Sequence, residues 1–213
     1  MSMIHPGYNL TSPPNSKQGD PAWEVAFFYP PQGNWSECDY LRLDQAGGRI
    51  VELVRGRLEV LPMPTILHQL IAKFLFARLD VYVGIRRLGT VLFAPLPVHL
   101  GPEHYREPDI VFFRPERVPV GKEYPELADL VMEIVSDDAE SRKRDFEEKR
   151  RDYAAAGIPE YWIVDPQEQA VTVLALDEKQ YRVHGEFKLG TQATSVLLPE
   201  FSIDVSELFA AKT

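Results

Sequence analysis

The chain has 213 residues, 45% hydrophobic and 26% charged, an ordinary globular composition for which a real core is expected. A formal net charge of −9 and an isoelectric point near 5.1 exclude a surface coated in positive charge for nonspecific nucleic-acid binding, though not a local basic groove. Its single cysteine, Cys38, excludes an internal disulfide and a multi-cysteine zinc site.

The N-terminal stretch MSMIHPGYNL carries neither a basic nor an apolar signal region, and no apolar run approaches the ~18 residues that span a bilayer. A cytoplasmic protein with no membrane segment is expected. Residues 1–35 read as an extension, because Pro6, Pro13, Pro14, Pro21, Pro30 and Pro31 block helix interiors and central strands. Trp23, Phe27, Phe28, Tyr29 and Trp35 are too many aromatics for a free tail, so part of this arm is expected to dock on the domain or on a partner chain. Residues 36–213 read as a single domain.

A short helix is expected from Ser36, with Asp39 three residues on completing an approximate capping box. RIVELV, RG and RLEVL then form a hairpin with glycine in its turn. From Thr65 to Leu88 the apolar positions Leu67, Leu70, Ile71, Phe74, Leu75 and Leu79 recur at three and four, which predicts an amphipathic helix stopped near Gly89. TVLFAP, PVHL, DIVFF and LVMEIV read as strands. A charged helix comes next over 139–156, ended by Gly157. EYWIVDP, AVTVLAL, QYRVHG, SVLL and FSIDV read as further strands, and SELFAA as a terminal helical turn. The pattern is α+β.

Two acids stand out against this apolar background. In LVMEIVS, Glu133 shares a face with Val131 and Val135, while Leu130, Met132 and Ile134 face the other way. Both faces are apolar, so the strand is expected to be central and buried. Taken alone, Glu133 reads equally well as a salt-bridged core acid, and Asp109, after Pro108, as a strand-end aspartate. Together, on strands joined by a loop, they would stand close on one sheet and repel each other. A divalent cation removes that conflict, and Mg²⁺ is held by one or two carboxylates plus water and phosphate oxygens.

In the helix over 139–156, Phe146, Lys149 and Tyr153 share one face, which puts Lys149 on the buried stripe. It reads as a stem with its ammonium in water, as a structural partner for Glu133, or as a cation beside the metal site. Arg142, Lys143, Arg144, Arg150 and Arg151 make this helix the most basic stretch of an acidic chain. Glu140, Glu147, Glu148 and Asp152 interrupt it, as on an ordinary solvated face, yet it is the first choice for contact with a phosphate backbone.

These residues carry a resemblance. EPD, then EIV, then RDFEEK and GIPEYWIVDP, together with IVELVRGRLEVLPMPTILH, resemble the Uma family of restriction-endonuclease-like proteins in the PD-(D/E)XK nuclease superfamily, over roughly residues 40–210. The resemblance implies a restriction-endonuclease-like α/β core: a mixed β-sheet flanked by helices, with additional N- and C-terminal β-hairpins. It implies Asp109 and Glu133 as metal ligands for Mg²⁺ or Mn²⁺. Val135 stands where the superfamily lysine would be, and Lys149 takes that role from the following helix. Glu52 and His68 match the N-terminal signature and complete the site, with Asp145 and Tyr153 as support.

The implied activity is Mg²⁺-dependent endonucleolytic hydrolysis of DNA. The resemblance also allows a homodimer. Two rivals are a catalytically silent nuclease fold kept for binding or assembly, which predicts lost site residues, and a hydrolase of small phosphorylated ligands. The latter predicts a glycine-rich phosphate loop that the sequence lacks.

Overall fold

The computed structural model describes residues 29–45, 50–118 and 124–210. Of the arm expected over residues 1–35, residues 1–28, with Trp23, Phe27 and Phe28, lie outside the described residues. The segment after residue 28 docks on the domain. Trp35 is buried and stacks on Tyr29 at 5.6 Å, and the Gly33 and Trp35 amides donate to the Gly56 carbonyl at 2.8 and 3.0 Å.

The first helix, α1 (Glu37–Gln45), opens on the expected box. The Ser36 amide donates to the Asp39 carboxylate, and the Asp39 amide donates back to Ser36 Oγ, both at 3.2 Å. β1 (Val51–Val54) and β2 (Arg57–Val60) form the hairpin. Its turn, Arg55–Gly56, has positive φ at both residues (49° and 76°), as a two-residue hairpin turn requires.

Thr65 caps α2 (Ile66–Arg86) by accepting from the His68 amide. The buried stripe of α2 is Ile71, Leu75, Leu79 and Val83 at i, i+4 spacing. Burying each such side chain contributes about 1.5–3 kcal/mol. Leu67, expected on that stripe, is instead 41% exposed in the first turn, ahead of the point where the helix meets the sheet.

The remaining elements are β3 (Thr90–Phe93), β4 (Val98–Gly101), β5 (His104–Arg106), β6 (Ile110–Phe113), β7 (Leu130–Ile134), α3 (Ala139–Lys143), α4 (Arg150–Ala156), β8 (Glu160–Asp165), β9 (Ala170–Asp177), β10 (Gln180–Lys188), β11 (Gln192–Thr194), β12 (Ser202–Asp204) and α5 (Val205–Ala210). A six-stranded sheet runs β10-β9-β8-β7-β6-β3, antiparallel except for the parallel β7–β8 pair, which α3 and α4 bridge as a crossover. A second sheet, β2-β1-β5-β4, joins the hairpin to β4 and β5, and β11 pairs with β12.

β7 is central and buried on both faces. Leu130, Met132 and Ile134 pack with α2 and α5, while Val131 and Val135 pack with Tyr153 and Ala154 of α4. The fold is thus a mixed sheet with a helical layer on each side. One strand expectation fails. SVLL is a turn, because the Val196 and Leu197 amides donate to the buried Glu160 carboxylate at 2.7 Å each, leaving β11 to the preceding residues.

Candidate active site

β6 and β7 pair with Ile110 facing Met132 and Val111 facing Val131, so the next position outward sets Asp109 opposite Glu133. Asp109 lies just beyond the β6 ladder, and its Oδ2 accepts the Ile134 amide at 2.7 Å. This bond pins the aspartate to the neighbouring strand. His68 Nε2, in the first turn of α2, lies 3.2 Å from the same oxygen. Burial disfavours the charged ring, but the Asp109 hydrogen bond and charge outweigh it and raise the His68 pKa, favouring the imidazolium.

Between α3 and α4 the helix widens into a π turn, Arg144–Lys149. Such turns are rare and recur at functional sites. Inside it, Asp145 and Lys149 are both buried, and the Tyr161 hydroxyl donates to the Asp145 carbonyl at 2.9 Å. Lys149 is 2% exposed and does not extend its ammonium along the surface. Its Nζ lies 2.8 Å from Glu133 Oε1, 3.4 Å from Glu52 Oε1 and 3.6 Å from Asp145 Oδ1. The Tyr153 hydroxyl also donates to Glu133 Oε1.

One ammonium therefore sits among several acids, and the protons redistribute accordingly. Burial pushes the Glu133 carboxyl up to about 8, with repulsion from Asp109, Asp145 and Glu52 adding to it and Lys149 opposing it. Burial likewise lifts Asp145 to about 6 against the pull of Lys149 and Arg144. For Glu52 burial alone would also raise the pKa, but Lys149, Arg106 and the Glu107 amide hold it at about 2. Burial would lower the Lys149 pKa, yet Glu133, Glu52 and Asp145 raise it, so the side chain stays an ammonium.

Behind Glu52 lies a residue that sequence reasoning passed over. Arg106 is 1% exposed and its guanidinium reaches Glu52 at 2.6 Å, Glu59 at 2.7 Å and Asp152 at 2.7 Å. His104 adds a second contact to Asp152, at 3.2 Å. Glu52 is thereby clamped from one side by Arg106 and touched from the other by Lys149. The only sequence signal for this arrangement is an arginine immediately before the EPD motif.

His68, Asp109, Glu133, Arg144, Asp145 and Lys149 line one open cleft, walled on the other side by Leu61, Pro62 and Met63. Glu52 is fully buried and stands behind the cleft. The five basic residues of the helix are not brought together. Arg144 enters the cleft and donates to Ser141 Oγ at 2.7 Å. Arg142 is tied to Asp165 at 2.6 Å, Lys143 lies 3.5 Å from Glu148, and Arg150 donates to the Tyr181 carbonyl. Arg150 and Arg151 border a separate hollow beside Lys179 and Tyr181.

Among the described residues, no group of three or more His, Cys, Asp or Glu is placed to hold a metal. An ion held by Asp109 and Glu133 would complete its shell with water and phosphate oxygens, as hard divalent cations do. The donor set, two hard carboxylates on adjacent strands, fits such an ion. No helix among the described residues is long and apolar enough to cross a membrane.

The mixed sheet with its flanking helices is a nuclease-type fold. It matches the crystal structure of a "putative nuclease belonging to DUF820" from Anabaena variabilis ATCC 29413 with a TM-score of 0.66 and 21% identity, over 83% of this chain and 98% of that one. A likeness at that identity is one of fold. Residues 38–206 match the Uma2 family, described as "Putative restriction endonuclease", and the chain belongs to that family. Among curated proteins none matches.

Proposed function

We propose that the protein is a divalent-metal-dependent endonuclease that hydrolyses DNA phosphodiester bonds in the cleft lined by Asp109, Glu133 and Lys149. The observation that carries this reading is the facing placement of Asp109 and Glu133 across β6 and β7, with a buried lysine 2.8 Å from the second acid. A structural salt bridge would need one acid per lysine. Here Glu133, Glu52 and Asp145 crowd one ammonium, and Asp109 adds to the repulsion on Glu133, so Glu133 holds a proton that a bound cation would replace.

Asp109 and Glu133 would hold Mg²⁺ or Mn²⁺. When bound, the ion polarises the scissile phosphate and lowers the pKa of the attacking water. Lys149, fixed in its protonated form, cannot act as a general base. It steadies the negative charge that develops on the phosphoryl oxygens and holds Glu133 in place. His68 orients Asp109 from α2, and Arg106 orients Glu52 against Lys149. Arg144, reaching the cleft from the π turn, supplies positive charge to a phosphate in an otherwise acidic chain. The alternative, a silent binding module, predicts loss of site residues, and Glu52, His68, Asp109, Glu133 and Lys149 are all retained.

The test is incubation of purified protein with supercoiled, linear duplex and single-stranded DNA in Mg²⁺ or Mn²⁺, beside Asp109→Asn. Cleavage by the wild type that falls by about a hundredfold or more in the variant supports the reading. Equal activity of wild type and Asp109→Asn contradicts it.

A further inference from the structure

The cleft does not end at the acids. Beyond Asp109 and His68 it continues into a shallow apolar groove lined by Ala72, Lys73, Phe76, Phe93 and Ala94. Phe93 closes the edge strand β3, directly opposite Ile110 of β6, and the next residue, Ala94, donates its amide to the Asp109 carbonyl at 3.1 Å. An aromatic ring is thus anchored one residue across from the acid proposed to hold the metal. It is 59% exposed and borders the groove rather than the core. Its edge-to-face contact with Phe76 of α2, at 4.9 Å between centroids and 78° between planes, fixes the ring while leaving most of it open. Exposed Lys73 stands at the rim, on the same helix as His68.

We propose that Phe93, braced by Phe76, is a stacking shelf for an unpaired nucleobase next to the scissile phosphate, with Lys73 meeting the adjoining phosphate. The inference rests on the nuclease reading and deepens it: the preferred substrate is a single strand, or a duplex opened at the cut. Three features select a base over another apolar occupant. The groove is continuous with the cleft proposed to take the phosphate, its aromatic is held rigidly, and a cation flanks it. Backbone-tracking charge combined with an aromatic platform is how proteins grip single strands without reading sequence.

The test uses fluorescence anisotropy in Ca²⁺ with two labelled probes, a short oligothymidylate and an abasic oligomer of the same length, which differ only in their bases. The wild type is expected to bind the oligothymidylate more tightly. Phe93→Ala should weaken that binding about tenfold, as expected for the loss of one stacked base, and leave the abasic oligomer unaffected. Phe93→Trp should restore it. Equal affinity of the wild type for both probes, unchanged by Phe93→Ala, overturns the shelf and leaves the nuclease reading standing. Absence of binding to either probe overturns both. Sedimentation of the same samples covers the rival occupant: a dimer that Phe93→Ala dissociates, with oligothymidylate affinity unchanged, assigns the groove to a second copy and overturns the proposal.

Discussion

Lys149 Nζ and Glu133 Oε1 lie 2.8 Å apart at the buried wall of the cleft, each side chain at most 4% exposed. Lys149 also lies 3.4 Å from Glu52 and 3.6 Å from Asp145, and removing it leaves these buried carboxylates without their shared cation, which costs about 3–5 kcal/mol. Lys149→Met should therefore destabilise the protein by about that amount near neutral pH, measured by urea unfolding. The loss should shrink as pH falls toward the usual carboxylate range, because the abandoned acids take up protons. A uniform loss across pH would mean that packing, rather than charge, is what Lys149 contributes.

The Glu133 carboxyl, raised from 4.5 to about 8, binds its proton more tightly folded than unfolded. Its contribution to stability is complete below about 4.5 and is lost as pH rises through about 8. Without metal, this group makes the protein less stable across that window. A cation bound at Glu133 must displace the proton, so metal binding near pH 7 should release protons and strengthen as pH rises toward about 8. Calorimetry in two buffers of different ionisation enthalpy counts the protons. Binding with no proton release would place the cation away from Glu133.

Arg106 separates Glu52, Glu59 and Asp152, and none of its charge faces bulk solvent. Arg106→Met should cost about 3–5 kcal/mol in thermal or urea unfolding, since it strands Glu52 and Asp152. The exposed pair Arg78–Glu207 meets at 2.8 Å but sits in water. Arg78→Ala should change stability by less than about 1 kcal/mol. Arg106→Lys should not rescue, because one ammonium cannot reproduce the guanidinium fork.

Of Arg142, Lys143, Arg144, Arg150 and Arg151, only Arg144 lines the cleft beside Lys149, while Arg151 lies on the far hollow. Arg144→Ala should weaken DNA binding and flatten its salt dependence, and Arg151→Ala should leave both within about twofold. Filter binding at several salt concentrations distinguishes them. An equal effect of the two would mean that the whole helix surface meets DNA.

Much of this arrangement is legible in the sequence because its signals are local. The SxxD box at Ser36, the glycine turn of the hairpin, the three- and four-residue spacing of Ile71, Leu75 and Leu79, and the two apolar faces around Glu133 each depend on neighbours within a few residues. Helical spacing puts Lys149 on the buried face beside Phe146 and Tyr153, although neither its contacts with Glu52 and Asp145 nor the π turn that seats it has a sequence signature. The hidden parts depend on distant partners. β5 is three residues, His104–Arg106, with no periodicity; its burial is made by acids on β1, β2 and α4. SVLL has strand-forming residues, but the Glu160 carboxylate captures its amides, and nothing near Val196 announces that acid. The basic helix misleads because composition does not reveal that Arg142 and Arg150 are bound elsewhere.

The most direct test is a calorimetric titration of the protein with Mn²⁺ and Mg²⁺, beside Asp109→Asn and Glu133→Gln. If the two acids share an ion, the wild type binds saturably and both variants lose that binding while remaining folded. If the wild type takes up no metal at millimolar concentration, or if both variants bind as it does, Asp109 and Glu133 are structural acids and the catalytic account fails.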